Sequence, residues 1–136
     1  MLNILVVDDI PGLKTNFAFD YLRYHDRLEL NCEYVTDVNS ANRYIKENVN
    51  KINFIILDLG LPILKNGDLE PLNGLMVLQF MKRYKINIPV IIVSTTEIPA
   101  EDELIEDLKD CGINITHVKS LDQYWLSHFV KFDLNQ

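Results

Sequence analysis

The stretch Asn53-Phe54-Ile55-Ile56-Leu57-Asp58 decides how the chain is read. An apolar, β-favouring run ends in a single acid, and the turn formers Gly60 and Pro62 follow at once. A run of this length between turn signals predicts a strand buried on both faces of a parallel sheet. Asp58 then stands at the strand's carboxyl end, the edge of an open α/β sheet where ligands collect. Two more apolar runs end the same way. Leu2 to Val7 leads into Asp8-Asp9, and Ile88 to Val93 leads into Ser94-Thr95-Thr96. Three carboxylates and a cluster of hydroxyls are thereby expected on one edge.

Outward from this stretch, β and α patterns alternate. After Pro11 and Gly12, Leu13, Phe17, Tyr21 and Tyr24 recur at helical spacing, with Ala18 and Leu22 beside them. Leu28, Leu30, Cys32 and Tyr34 alternate with polar residues, as on a strand with one covered face. Asp37 is placed to cap a helix carrying Val38, Ala41, Ile45 and Val49. Beyond Asp58, an irregular segment from Leu59 to Leu72 carries two glycines and two prolines. Asn73-Gly74 then opens a helix with Leu75, Leu78 and Met81 on one line and Phe80 near it.

Pro99, Glu101, Asp102 and Glu103 read as a helical first turn. Leu104, Ile105, Leu108 and Cys111 follow as its buried stripe, Gly112 as its stop, and the acids from Glu97 to Asp110 as its solvated face. Ile113, Ile115 and His117 alternate into a last strand ending at Lys119. Ser120 is expected to cap a final helix with Leu121, Tyr124, Trp125 and Phe129 on its apolar face. Five strands alternating with five helices predict a doubly wound parallel sheet with right-handed crossovers. The half-polar second and fifth strands belong at the edges. The flavodoxin-like order 2-1-3-4-5 satisfies this and makes Asp8, Asp9 and Asp58 neighbours.

The whole chain is consistent with that architecture. Its 136 residues suit one domain, and 48% hydrophobic with 24% charged residues is an ordinary globular composition. A formal charge of -7 argues against direct nucleic-acid binding through phosphates, which needs a basic face. Cys32 and Cys111 share no metal or CxxC spacing and are expected to be reduced, packed thiols. The amino terminus turns acidic at Asp8 before a signal-peptide core forms, and no apolar run approaches membrane-spanning length. A soluble, cytoplasmic protein with no membrane partner is expected. His25, His117 and His128 share no ligand spacing.

Three carboxylates brought together repel one another unless a cation or a shared proton relieves them. Mg²⁺ suits oxygen ligands of this kind, with Asp8, Asp9 and Asp58 as its acids and the Gly60 carbonyl as a further donor. Lys119 adds a fixed positive charge at the end of the fifth strand, and Ser94 a hydroxyl at the end of the fourth. A carboxylate nucleophile, a divalent ion, a lysine and a hydroxyl are the parts needed to accept and hold a phosphoryl group.

The acid pair in ILVVDD, the acid in FIILDLGLP, the hydroxyl in PVIIVST and the lysine in THVKS together resemble the receiver domain of two-component response regulators, the CheY-like fold. The resemblance covers nearly the whole chain, with four motifs in order, each at a strand end. It implies Asp58 as phosphoacceptor, Asp8 and Asp9 as Mg²⁺ acids, Ser94 as the switch hydroxyl and Lys119 as the phosphoryl-pairing lysine. It implies a histidine kinase or histidine phosphotransfer protein as donor, and an unknown output protein bound through the face around the fourth helix and fifth strand. Homodimerisation through the fourth and fifth helices is a family property that the residues leave open. The only catalysis expected is the domain's own phosphorylation and dephosphorylation.

Several positions depart from the family pattern. The loop after Asp58 is longer by roughly eight to ten residues, an insertion over about 63–73. Thr95 replaces a small residue, Thr116 stands at the aromatic switch position, and Ser120 replaces a proline. These departures motivate an alternative, a receiver-like interaction domain that does not use phosphate.

Overall fold

The computed structural model describes residues 1–10, 12–70, 72–95 and 103–134. Its strands are β1 (Leu2–Val7), β2 (Leu30–Val35), β3 (Phe54–Leu57), β4 (Val90–Val93) and β5 (Ile115–Val118). They pair in parallel in the order β2-β1-β3-β4-β5, as the alternation of patterns predicts. The helices are α1 (Asn16–Asp20), α2 (Val38–Glu47), α3 (Leu75–Arg83), α4 (Glu103–Asp110) and α5 (Gln123–His128). Both α1 and α5 continue into a π-helical turn, over Tyr21–His25 and Phe129–Asp133.

Strand alternation divides the core between the two faces of the sheet. Leu5, Val7, Ile55, Leu57 and Ile92 point to the face covered by α2, α3 and α4. Ile4, Val6, Phe54, Ile56, Ile91 and Val93 point to the face covered by α1 and α5. Every residue of β3 and β4 is buried, whereas β2 and β5 alternate, as edge strands do.

Several helix faces differ from expectation. On the first helix, Ala18 and Leu22 are buried as expected and Phe19 joins them, but Leu13, Phe17 and Tyr24 of the main stripe are exposed. The helix carries apolar residues nearly all round, so periodicity alone does not choose its inner face. Gly12, at φ +86, turns the chain so that α1 starts at Asn16 with the second stripe inward. Val49 lies beyond the end of α2 and is exposed. On α3, Val77 joins Leu78 and Met81 in the core and Leu75 is only partly buried.

Ile105 and Leu108 of α4 are buried with Leu104 against them, but Cys111 lies past the helix and is exposed. The expectation of two packed thiols therefore fails at Cys111, while Cys32 is half-buried. Ile113 and Ile115 are buried, whereas His117 is exposed because β5 is an edge strand at its far end. Asp122, not Ser120, caps α5, accepting from the Trp125 amide at 2.9 Å. Leu126, Phe129 and Val130 then face the core and Tyr124 faces solvent. Asp37 caps α2 as expected, accepting from the Ser40 amide at 2.8 Å, and Gly112 follows α4 at φ +88. Pro11, Pro71, Thr96, Glu97, Pro99, Glu101 and Asp102 lie outside the described residues.

Candidate functional site

The ladder of the sheet carries the acids into place. Val7 and Leu57 are register partners, so Asp8 and Asp58 leave adjacent strands at the same level. The Asp8 amide still donates to Val35 O at 3.0 Å and the Asp58 amide to Val7 O at 2.8 Å. Each acid is thus anchored by its backbone one position beyond its strand. Ser94 follows the same rule on β4, its amide donating to Val118 O at 3.0 Å.

Asp8, Asp9 and Asp58 bring carboxylate oxygens within 4.8 Å of one another. Asp8 and Asp58 are buried and Asp9 is half-buried. Burial pushes the Asp8 carboxyl up to about 6; a hydrogen bond with Asp9 and repulsion from Asp58 act in the same direction. The Ile10 amide, 3.0 Å from Asp8 Oδ1, and the charge of Lys14 oppose them. A set of three clustered oxygen acids, one of them resisting ionisation beside the others, fits a hard divalent cation in chemistry and spacing. Gly60 turns the chain directly after Asp58, and its amide donates to Asp58 Oδ1 at 3.2 Å.

The segment after β3 is tied down at its base. Leu61 bridges to Glu70, and Asn73 Nδ2 donates to Leu61 O at 2.8 Å. The Gly74 amide donates to Leu59 O at 2.8 Å, drawing the start of α3 against the backbone that carries Asp58. Pro62 O and Ile63 O accept from the Val38 and Asn39 amides, so the segment also closes over the first turn of α2. Leu59 and Leu61 are buried, whereas Ile63, Leu64, Leu69 and Leu72 are exposed.

Of the residues singled out from the sequence, Asp8, Asp9, Asp58 and Gly60 come together. Ser94 is buried at the end of β4, and its carbonyl accepts from His117 Nε2 at 2.9 Å, which requires the proton on that nitrogen. Thr95 is exposed and Thr116 half-buried. Lys119 is exposed at the end of β5 and forms no ion pair among the described residues. The cation on Asp58 is Lys14, whose Nζ lies 3.0 Å from Oδ2. Sequence reasoning did not find Lys14, because it sits between a turn and a helix with no motif around it.

Among the described residues, no helix is long and apolar enough to cross a membrane. No family model and no curated protein sequence matches the chain. Solved structures do match. A response regulator receiver domain protein from Clostridium thermocellum is 24% identical, with a TM-score of 0.66, over 99% of this chain and 95% of that one. The Mn²⁺-bound form of response regulator Rcp1 is 21% identical, with a TM-score of 0.64, over 100% and 96%. A response regulator from Colwellia psychrerythraea is 18% identical, with a TM-score of 0.61, over 98% and 97%. In strand order, layering and extent, this chain has the fold of the response-regulator receiver domains.

Proposed function

We propose that the chain is a cytoplasmic phosphoacceptor, phosphorylated on Asp58 with Mg²⁺ and changing its partner according to that state. The observation that carries this reading is the meeting of Asp8, Asp9 and Asp58 within 4.8 Å at the carboxyl ends of adjacent strands. The likeness to receiver domains, one of them Mn²⁺-bound, supports it.

In this reading the donor is a phosphohistidine on a histidine kinase or histidine phosphotransfer protein. An Asp58 oxygen attacks the phosphorus in line with the bond to be broken. The new O–P bond forms as the P–N bond breaks, and the bonding pair returns to the donor imidazole. Asp8, Asp9, Asp58 and the Gly60 carbonyl would hold the Mg²⁺, which when bound supplies charge neutralisation for the phosphoryl oxygens. The Ser94 hydroxyl donates to a phosphoryl oxygen, and Lys119 swings in from the end of β5 to pair with the added charge. Partner exchange then follows from rearrangement of the face around α4 and β5, where His117 holds the Ser94 carbonyl.

Intact mass measured after incubation with a small phosphodonor and Mg²⁺ tests this directly. One acid-stable, base-labile phosphoryl group is expected on wild type, with none on Asp58→Asn or in the presence of chelator. Labelling that survives Asp58→Asn would move the acceptor elsewhere. No labelling of folded wild type, with a beryllofluoride analogue also failing to bind, would turn the reading to a phosphate-independent interaction domain.

A further inference from the structure

Lys14 is paired with Asp58 of the acid cluster without belonging to any motif. The two oxygens of Asp58 divide their partners: Oδ1 accepts from the Gly60 amide at 3.2 Å and Oδ2 from the Lys14 ammonium at 3.0 Å. The Lys14 side chain is 38% exposed and that of Asp58 10%, so the ammonium reaches the acid from the solvent side. Gly12, at φ +86, makes the turn that precedes Lys14, and its carbonyl accepts from the Asn16 amide at 3.0 Å.

We propose that Lys14 is the internal counter-ion of the acid cluster, competing with the divalent cation for Asp58 Oδ2 and so setting the ion concentration at which Asp58 becomes available. This rests on the reading of the cluster as a divalent-cation site. Three carboxylates within 4.8 Å need compensating positive charge. A lysine ammonium is a compact point charge on a flexible stem, able to supply that charge and to withdraw into water. A divalent ion that takes Asp58 Oδ2 as a ligand meets repulsion from an ammonium on the same oxygen. The ammonium must leave, and the cost of its leaving is subtracted from the affinity of the ion. Lys119, exposed and holding no acid among the described residues, is not in this competition.

Removing Lys14 therefore tightens divalent binding, against the usual expectation that loss of a site residue weakens it. Because the ammonium is partly screened by water, the effect is on the order of tenfold. The test is calorimetric titration of Mg²⁺ into the chelator-treated full chain, comparing wild type, Lys14→Met, Lys14→Gln and Lys51→Met. Lys51 is exposed in the turn before β3, at the opposite edge of the sheet, so its substitution controls for net charge alone. The Kd is expected to fall about tenfold in both Lys14 variants and to stay within twofold in Lys51→Met.

A second readout is the melting temperature. Without Mg²⁺ the Lys14 variants should melt below wild type, since the acids have lost their counter-ion, and saturating Mg²⁺ should close that gap. Wild-type affinity or weaker binding in both Lys14 variants would overturn the counter-ion role while leaving the cation site standing. Absence of Mg²⁺ binding by wild type and variants alike would remove the cation site and the competition together.

Discussion

Gly74 shows how narrowly the setting of Asp58 is built. A Cβ at this position would lie 2.6 Å from the Asp58 carbonyl oxygen and 2.6 Å from Leu59 Cα. Both are backbone atoms and cannot turn aside as the end of a side chain would. The φ of Gly74 is -58, so any residue could adopt its conformation and the constraint is space alone. Gly74→Ala is expected to cost about 2 kcal/mol, as overpacking does, and, if Asp58 is the proposed phosphoacceptor, to lower its labelling by displacing it. Urea unfolding together with phosphoryl labelling would check it, and a variant equal to wild type in both would mean that α3 can shift without moving the acid. At this scale the sequence was readable where chemistry and pattern coincide. Asp8, Asp9, Asp58 and Ser94 each end an apolar run, so a strand reading places them. Lys14 and the packing role of Gly74 depend on how chain returns from a turn, which no local pattern records.

The first helix shows what periodicity can and cannot decide in an element. Leu13, Phe17, Tyr21 and Tyr24 form one stripe at helical spacing and Thr15, Ala18, Phe19 and Leu22 another. The second stripe is the buried one, and Phe19 and Leu22 are fully enclosed against β1 and β3 residues such as Ile4 and Phe54. Aromatic residues on both faces made the choice depend on the turn at Gly12. In α2 there was no such ambiguity: Val38, Ala41 and Ile45 are the apolar residues of an otherwise polar helix, and they are buried. The assignment on α1 yields a sharp comparison between two identical side chains. Phe19→Ala should destabilise by about 3–5 kcal/mol through cavity formation, whereas Phe17→Ala, 73% exposed, should stay within about 0.5 kcal/mol of wild type. Equal losses in chemical denaturation would mean that the helix is rotated from the orientation described.

Across the whole molecule, strict alternation of strand and helix patterns was enough to set the sheet, because parallel pairing with right-handed crossovers leaves few arrangements for five strands. It could not reveal how the amino-terminal half is tied to the carboxyl-terminal helix. One polar tie is Asp26, whose side chain is 1% exposed and holds Ser127 and Lys131 of the carboxyl-terminal helix. Ser127 Oγ donates to Oδ2 at 2.5 Å, while Lys131 Nζ at 3.1 Å and His25 Nδ1 at 3.0 Å lie against Oδ1. Burial raises the Asp26 carboxyl, but the hydrogen bonds from Ser127, His25 and Lys131, with the Lys131 charge, outweigh it and hold the group down at about 2. The unfolded chain would protonate it near the ordinary value of 3.8. A depressed folded value means that the stabilisation is complete above pH 4, declines as pH falls and is gone below pH 2. Asp26→Asn should therefore be less stable than wild type by about 1–2 kcal/mol at neutral pH, since the two cationic partners, His25 and Lys131, are exposed and screened by water. The difference should shrink steadily between pH 4 and pH 2, measured by urea unfolding of both proteins across that range. A gap that stays constant with pH would show that the loss comes from packing at the junction of the two π-helical turns, and that the carboxylate charge does not join them.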